Sequence, residues 1–368
     1  MKAARPIQVD SDCEGPLCLN DNAFEVCARY IPGGARFFTQ VSRYDDYLAD
    51  IVRLEGYEAG STLKLIVPFL KAFGLSDAEM LTFSRKSVDM VPGAEEMFSH
   101  LLSLDVPAFV ISTSYEQFAH AVAERLYLPL DHVYCTSLNL GVVSLPDSEV
   151  DEIRDLARQI AGLPPIELPE SSIEALSSAT RESIAVMEEV FWRRLPAMKA
   201  QSLIDSVQLV GGEGKARAVR DSLKMTGNSL ENVIYIGDSI TDVKAFELVK
   251  NGGGLAVSFN GNRYALDVAE IACAADDAVA LSIVIDLFAR SGKERALELA
   301  DSWPDEKPSQ LSLLNSLGVA TTVVQRLESP TTHGIHLGRV TGDPKAKIRM
   351  RSAEMRVLLR GRHIGTLG

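Results

Sequence analysis

Short apolar runs that stop at polar side chains recur along this chain and set its architecture. Ile7 and Val9 alternate with polar positions and lead into Asp10, Asp12 and Glu14, after which Gly15 and Pro16 turn the chain. Ala108 to Ile111 runs into Ser112, Thr113 and Ser114; Val233 to Ile236 runs into Gly237 and Asp238. His132 to Thr136 and Gly254 to Phe259 read as further strands, and Ala269 to Cys273 as an edge strand. Between them, apolar residues spaced by three to four predict helices over 94–104, 117–126, 216–223, 245–249 and 278–300. This alternation predicts an α/β fold with a doubly wound, mainly parallel sheet. Two helical stretches interrupt it. Residues 20–91 open at Asp21 and carry helices over 37–54 and 61–73. Residues 143–206 are charged and punctuated by Pro164, Pro165 and Pro169. That leaves 1–19, 92–142 and 207–300 as the core and 301–368 as a C-terminal extension. In the extension, Thr321 to Gln325 and Met355 to Leu359 read as strands or short helices.

Composition narrows the partners. The chain has 368 residues and a net charge of −13, so its overall field repels nucleic acid and phosphate anions. A phosphorylated ligand therefore needs a local cation. The basic residues between Arg339 and Arg362 are not interleaved with stacking aromatics, which argues against a nucleic-acid platform; a solvated face or a contact with this acidic chain is expected instead. Cys13, Cys18, Cys27, Cys135 and Cys273 form no metal-type pairing and fit free thiols in the cytoplasm. Residues 1–6 do not read as a secretory leader, and no apolar run approaches the roughly 18 residues of a membrane span. The oligomeric state is not legible.

Four motifs carry chemistry: the Asp12 to Gly15 turn, the hydroxyls from Ser112, the lysine of Gly211 to Lys215, and the pair Asp238 and Asp242. A carboxylate nucleophile, a hydroxyl, a cation and a metal-binding acid pair follow one another in that order. This order resembles the haloacid dehalogenase-like superfamily of phosphatases, which implies a Rossmann-like core, with residues 20–91 as a helical cap over the active site. An ordinary helical subdomain is the plainer reading of that stretch. The lysine loop superficially suggests a P-loop, but that motif needs glycine where Leu209 stands and Ser or Thr at Ala216.

Phosphoryl transfer needs an in-line nucleophile, neutralised equatorial oxygens and a proton for the leaving group. Asp12 is the expected nucleophile and Glu14 the general acid. Glu14 stands where the superfamily usually has aspartate, and Pro16 where threonine or valine is usual. Asp10 and Asp12 spell a second acid–any–acid register, in which Asp10 would attack; Gly15, directly after Glu14, favours Asp12. Mg²⁺ is expected on the Asp12 carboxylate, the Glu14 carbonyl and Asp238, with Asp242 orienting a metal water. Ser112, with the main chain of Thr113 and Ser114, is expected to hold phosphoryl oxygens, and Lys215 to pair with Asp12 and the phosphate. For Asp238 and Ser112, helix capping is the bland alternative. Cys13 reads as packing.

Further stretches resemble a largely archaeal group labelled energy-converting hydrogenase A subunit R. They are Ala35–Phe38, Tyr44–Tyr47, Glu55–Gly60, Ile111–Tyr115, Phe259–Ala265 and Met355–Gly361. The likeness runs almost end to end, is weakest over 143–206, and supplies no substrate. Arg43, Arg53, Glu55 and Tyr57 are the candidates for substrate selection, and Asn260 is a candidate near the site, unless it serves loop geometry. Phe191 and Trp192 read as a core face sooner than a pocket. The leading expectation is a Mg²⁺-dependent hydrolase of a small phosphomonoester. The alternatives are a phosphotransferase with the same parts, or an accessory protein of a redox complex with little turnover.

Overall fold

A computed structural model describes residues 6–168, 176–328, 334–340 and 345–365; Pro169 and residues 1–5 lie outside them. The strands are β1 (Gln8–Ser11), β2 (Ala108–Tyr115), β3 (Val133–Thr136), β4 (Val233–Gly237), β5 (Leu255–Phe259), β6 (Ile271–Ala275) and β7 (Ile335–Arg339). They form one sheet in the order β3-β2-β1-β4-β5-β6-β7. The first six are parallel, with Val9 opposite Ala108 on one side and Ile234 on the other. β1, β4, β5 and β6 are buried at every position, which is why β4, β5 and β6 read as short continuous runs, whereas β1 alternates because its buried Gln8 and Asp10 bond each other.

The chain builds outward from β1 to β3 and then restarts at β4 on the other side. Connections on either side of β1 therefore diverge at its carboxyl end and leave a crevice there. Ile7, Val9, Val110, Ile236 and Val257 face one layer of helices, and Ile111, Tyr235 and Ala256 the other. A third apolar cluster joins the two interrupting stretches: Phe37, Val41, Phe69 and Met80 pack with Ile153, Leu156, Met187 and Phe191. Gln40 ties them, donating to the carbonyl of Pro164 at 2.7 Å and accepting from Ile166 N at 3.1 Å. Phe191 is core, stacked on Tyr44 at 6.0 Å between centroids.

Several elements differ from expectation. The β6 strand is not an edge: β7 pairs with it antiparallel, Cys273 opposite Leu337. A strand of five residues bearing His336 and Arg339 gives too little alternation to stand out. The helix expected over 37–54 is an α-helix, Gly34–Asp46, that widens into a π-helix, Tyr47–Val52, and stops at Arg53 with φ 52. The helix expected over 278–300 breaks at Gly292, whose φ is 82. Both ambiguous segments of the extension are helical, within Thr321–Glu328 and Lys345–Gly365. All five cysteines are free. Among the described residues no helix is long and apolar enough to cross a membrane.

Candidate active site

Asp12 is the first residue beyond β1. Its N–H donates to Ile236 O at 2.8 Å, so sheet pairing continues one residue past the strand and fixes where the side chain emerges. The carboxylate accepts from Cys13 N at 2.7 Å and meets Lys215 Nζ at 2.6 Å. Asp12, Glu14, Ser112, Thr113, Ser114 and Asp238 line one cavity of about 120 Å³ at the carboxyl edge of the sheet. Asp10 lies deeper on the same strand and does not reach it. Its oxygens are taken by Gln8 Nε2 at 2.8 Å and Ser222 Oγ at 3.0 Å. Cys13 is buried, its sulfur 3.9 Å from that of Cys18.

Burial pushes the Asp10 carboxyl up to about 7. Folded Asp10 thus holds its proton to higher pH than unfolded Asp10. Its contribution to stability is full below pH ~4 and is lost as pH rises toward 7. Asp10→Asn should remove that slope, since the amide keeps both partners and Ser222 can turn its hydroxyl to accept. We expect denaturation at pH 8 to show the variant more stable by up to ~4 kcal/mol. A variant less stable than the parent at pH 8 would refute this account.

Lys215 is fully buried and bridges Asp12 and Asp242, the latter at 2.8 Å. Burial alone would lower its pKa, but the two carboxylates win and hold the ammonium protonated. For Asp12, burial and the charges of Asp242 and Asp238 push upward, while Lys215 pulls down. Asp242 accepts from Lys215 and from Tyr235 OH, at 2.8 Å each, on one oxygen. Its other oxygen takes Asp238 N and Ser239 N at 3.0 Å each and Ser239 Oγ at 3.2 Å. Its lone pairs are thereby committed. Asp242 holds the lysine and the turn, and it does not line the cavity.

Oxygen atoms of Asp12, Asp238 and Asp242 lie within 4.8 Å of one another. The set is all hard carboxylate oxygen, with no sulfur or imidazole, which suits Mg²⁺. Gly15 is needed for this packing. Its φ is 105, and a Cβ there would fall 2.3 Å from Asp238 Oδ2. Gly15→Ala should therefore cost about 1–3 kcal/mol, read from the denaturation midpoint. An unchanged midpoint would contradict it.

On the neighbouring strand, Ser112 Oγ accepts from Ser114 N at 3.0 Å. The hydroxyls of Thr113 and Ser114 are buried without a partner, and both residues face the cavity. Orphaned donors are costly unless a ligand meets them. Glu14 Oε1 accepts from Asn22 N at 2.8 Å. Burial and then the Asp21 charge raise its pKa well above the ordinary carboxylate value.

The opposite wall is not made by the residues expected. Arg43 turns to Asp46 at 3.5 Å, Arg53 is exposed and bonds Asp50 O at 3.1 Å, and Glu55 is exposed. Tyr57 lines a separate cavity with Phe191 and Trp192. Asn260 clamps β5 to β6, donating to Ala275 O at 2.8 Å and accepting from Ala275 N at 3.0 Å; with φ 49 it serves loop geometry. The wall consists of Phe38, Ser42, Asp45, Asp46, Gly60, Thr62 and Leu63. The first four recur at helical spacing, and Ser42, Asp45 and Asp46 among them form a polar inward stripe that was there to be read. Asp45 Oδ2 accepts from Thr62 Oγ1 at 2.9 Å, and burial, then neighbouring Asp45, raises Asp46 to about 7.

Three more residues escaped the motif reading. Asp21 caps the helix Asn22–Tyr30 and lines the cavity. Arg356 and Arg360 come from the last helix, and both pair with Asp238 Oδ2, Arg360 at 3.1 Å. The basic segment thus contacts the acidic chain: Lys347 also meets Asp305 at 2.6 Å, and Arg349 meets Asp267 at 2.5 Å.

No protein-family model matches this sequence, and no curated protein does. Among solved structures, a phosphoserine phosphatase with bound substrate aligns over 73% of this chain and 92% of its own, at 15% identity and TM-score 0.44. A HAD family hydrolase from Salmonella enterica serovar Typhi aligns over 70% of this chain and 65% of its own, at 12% identity and TM-score 0.42. Gene product AF1437 from Archaeoglobus fulgidus is similar throughout, at 31% identity and TM-score 0.79, over 98% of this chain and 99% of that one. This chain belongs to the family of that archaeal gene product.

Proposed function

We propose that this protein is a phosphomonoester hydrolase that uses Mg²⁺ and an aspartyl-phosphate on Asp12. One observation carries the reading: a carboxylate at the end of the central strand is ion-paired to a buried lysine and shares a cavity with a second carboxylate and two unpartnered hydroxyls. Asp12 would attack phosphorus. Ser112, Thr113 and Ser114 would donate to the equatorial oxygens, and Lys215 would hold charge beside the nucleophile. Glu14, whose carboxyl pKa burial raises, would give its proton to the leaving oxygen and then take one from water. Asp12, Asp238 and the Glu14 carbonyl would hold Mg²⁺, which neutralises phosphate charge when bound. Residues 20–91 would act as the cap, and the free thiols fit a cytoplasmic setting.

The test is phosphate release from an aryl phosphate and a panel of phosphometabolites, with Mg²⁺ and with chelator. Release that needs Mg²⁺ is the expected result. No turnover across the panel, with stable binding of a protein partner, would favour an accessory role.

A further inference from the structure

We propose that the last helix completes this site, and that Arg356 and Arg360 select a phosphomonoester whose leaving group carries a second anion. The inference rests on the hydrolase reading for its site and goes beyond it in naming the substrate class. The two arginines stand one helical turn apart on Lys345–Gly365, so their side chains leave the same face. Both line the cavity with Asp12 and Glu14. Neither is a surface charge: Arg356 is 5% exposed, and the side chain of Arg360 is 7% exposed. Burying a guanidinium costs several kcal/mol unless it is paired. Packing alone does not explain two of them, because Met355 and Leu359 on the same helix already supply its apolar contacts.

Their position within the cavity is informative. Arg360 Nη2 donates to Asn20 O at 2.6 Å and Nε to Leu19 O at 3.3 Å, which fixes the guanidinium against the loop that carries Glu14. It pairs with Asp238 at 3.1 Å, and the next carboxyl groups acting on it are those of Asp21 and Glu14. Lys215 lies elsewhere, between Asp12 and Asp242. The arginines therefore stand on the general-acid side, where the leaving group departs. The facing wall, with Asp45 and Asp46, contributes no cation to the cavity lining among the described residues, so a second negative group is directed to the last helix.

Both guanidiniums share one oxygen of Asp238. A divalent cation held by Asp238 would draw on the same carboxylate charge and leave that wall of the cavity more positive. Arginine forks match carboxylate and phosphate oxygens well, so either group could supply the second anion.

The test compares three esters: ethyl phosphate, phosphoglycolate, which adds a carboxylate, and propane-1,3-diyl bisphosphate, which adds a phosphate. Binding to Mg²⁺-loaded Asp12→Asn protein is measured by calorimetry, and kcat/KM on the parent enzyme. One or both charged esters should bind about tenfold tighter than ethyl phosphate, and which one does identifies the second anion. Arg356→Gln and Arg360→Gln should bring the ratio to about one, and the lysine variants should retain part of it. Equal binding of all three esters by the parental arginine pair overturns the inference without any arginine variant. A preference unchanged in folded glutamine variants also overturns it. Hydrolysis of all three with equal kcat/KM would leave the hydrolase reading standing and remove this one. An arginine-dependent binding preference with no hydrolysis would do the reverse.

Discussion

Asp12→Asn is expected to lose phosphate release by roughly 10⁴-fold or more. The amide is nearly isosteric, so the cavity should keep its shape, but it cannot attack phosphorus or carry charge opposite Lys215. Asp10→Asn is the matched control. Asp10 reports to Gln8 and Ser222 beneath the cavity, so its neutral variant should turn over within a few-fold of the parent. The pair of rates decides between the two acid–any–acid registers. Activity that survives at 12 and is lost at 10 would reverse the assignment.

Lys215→Met should be the most destabilising single change at the site. Lys215 has no exposed side-chain surface, and its two partners are buried. Removing the cation leaves Asp12 and Asp242 uncompensated, which costs about 3–5 kcal/mol for a broken buried pair. The pH dependence has a defined sign. Without the ammonium, Asp12, already pushed up by burial, has a folded pKa further above its unfolded one. Such a group stabilises below the unfolded pKa and loses that contribution as pH rises. The deficit should therefore shrink between pH 8 and pH 5, as read by urea denaturation of variant and parent. A loss below about 1 kcal/mol, or one that grows toward pH 5, would show that the lysine does not balance these carboxylates.

These expectations rest on a site of which half was legible. Three of the four core motifs are local events, apolar runs that end in polar side chains, while Lys215 is carried on the helix Glu213–Thr226. Residues 12, 112 and 238 could be named because polar side chains close each apolar run, Asp12 and Asp238 just past β1 and β4 and Ser112 within β2. Their meeting in one cavity is a property of the strand order, which sets β2 and β4 on either side of β1. The face of the helix Gly34–Asp46 that meets the cavity was misjudged by helical phase: Arg43 is one position away from Ser42, and it turns aside while Ser42, Asp45 and Asp46 face in.

By itself, then, the sequence determined the alternation of strand and helix and the order of the four chemical motifs, which follow from short-range periodicity and turn chemistry. Only the tertiary structure decided what stands across from those motifs. Arg356 is 118 residues from Asp238, and its place in the cavity depends on how the last helix packs on the sheet. Helical periodicity can say which residues share a face. It cannot say which carboxylate that face will meet, because that depends on packing between segments distant in the chain.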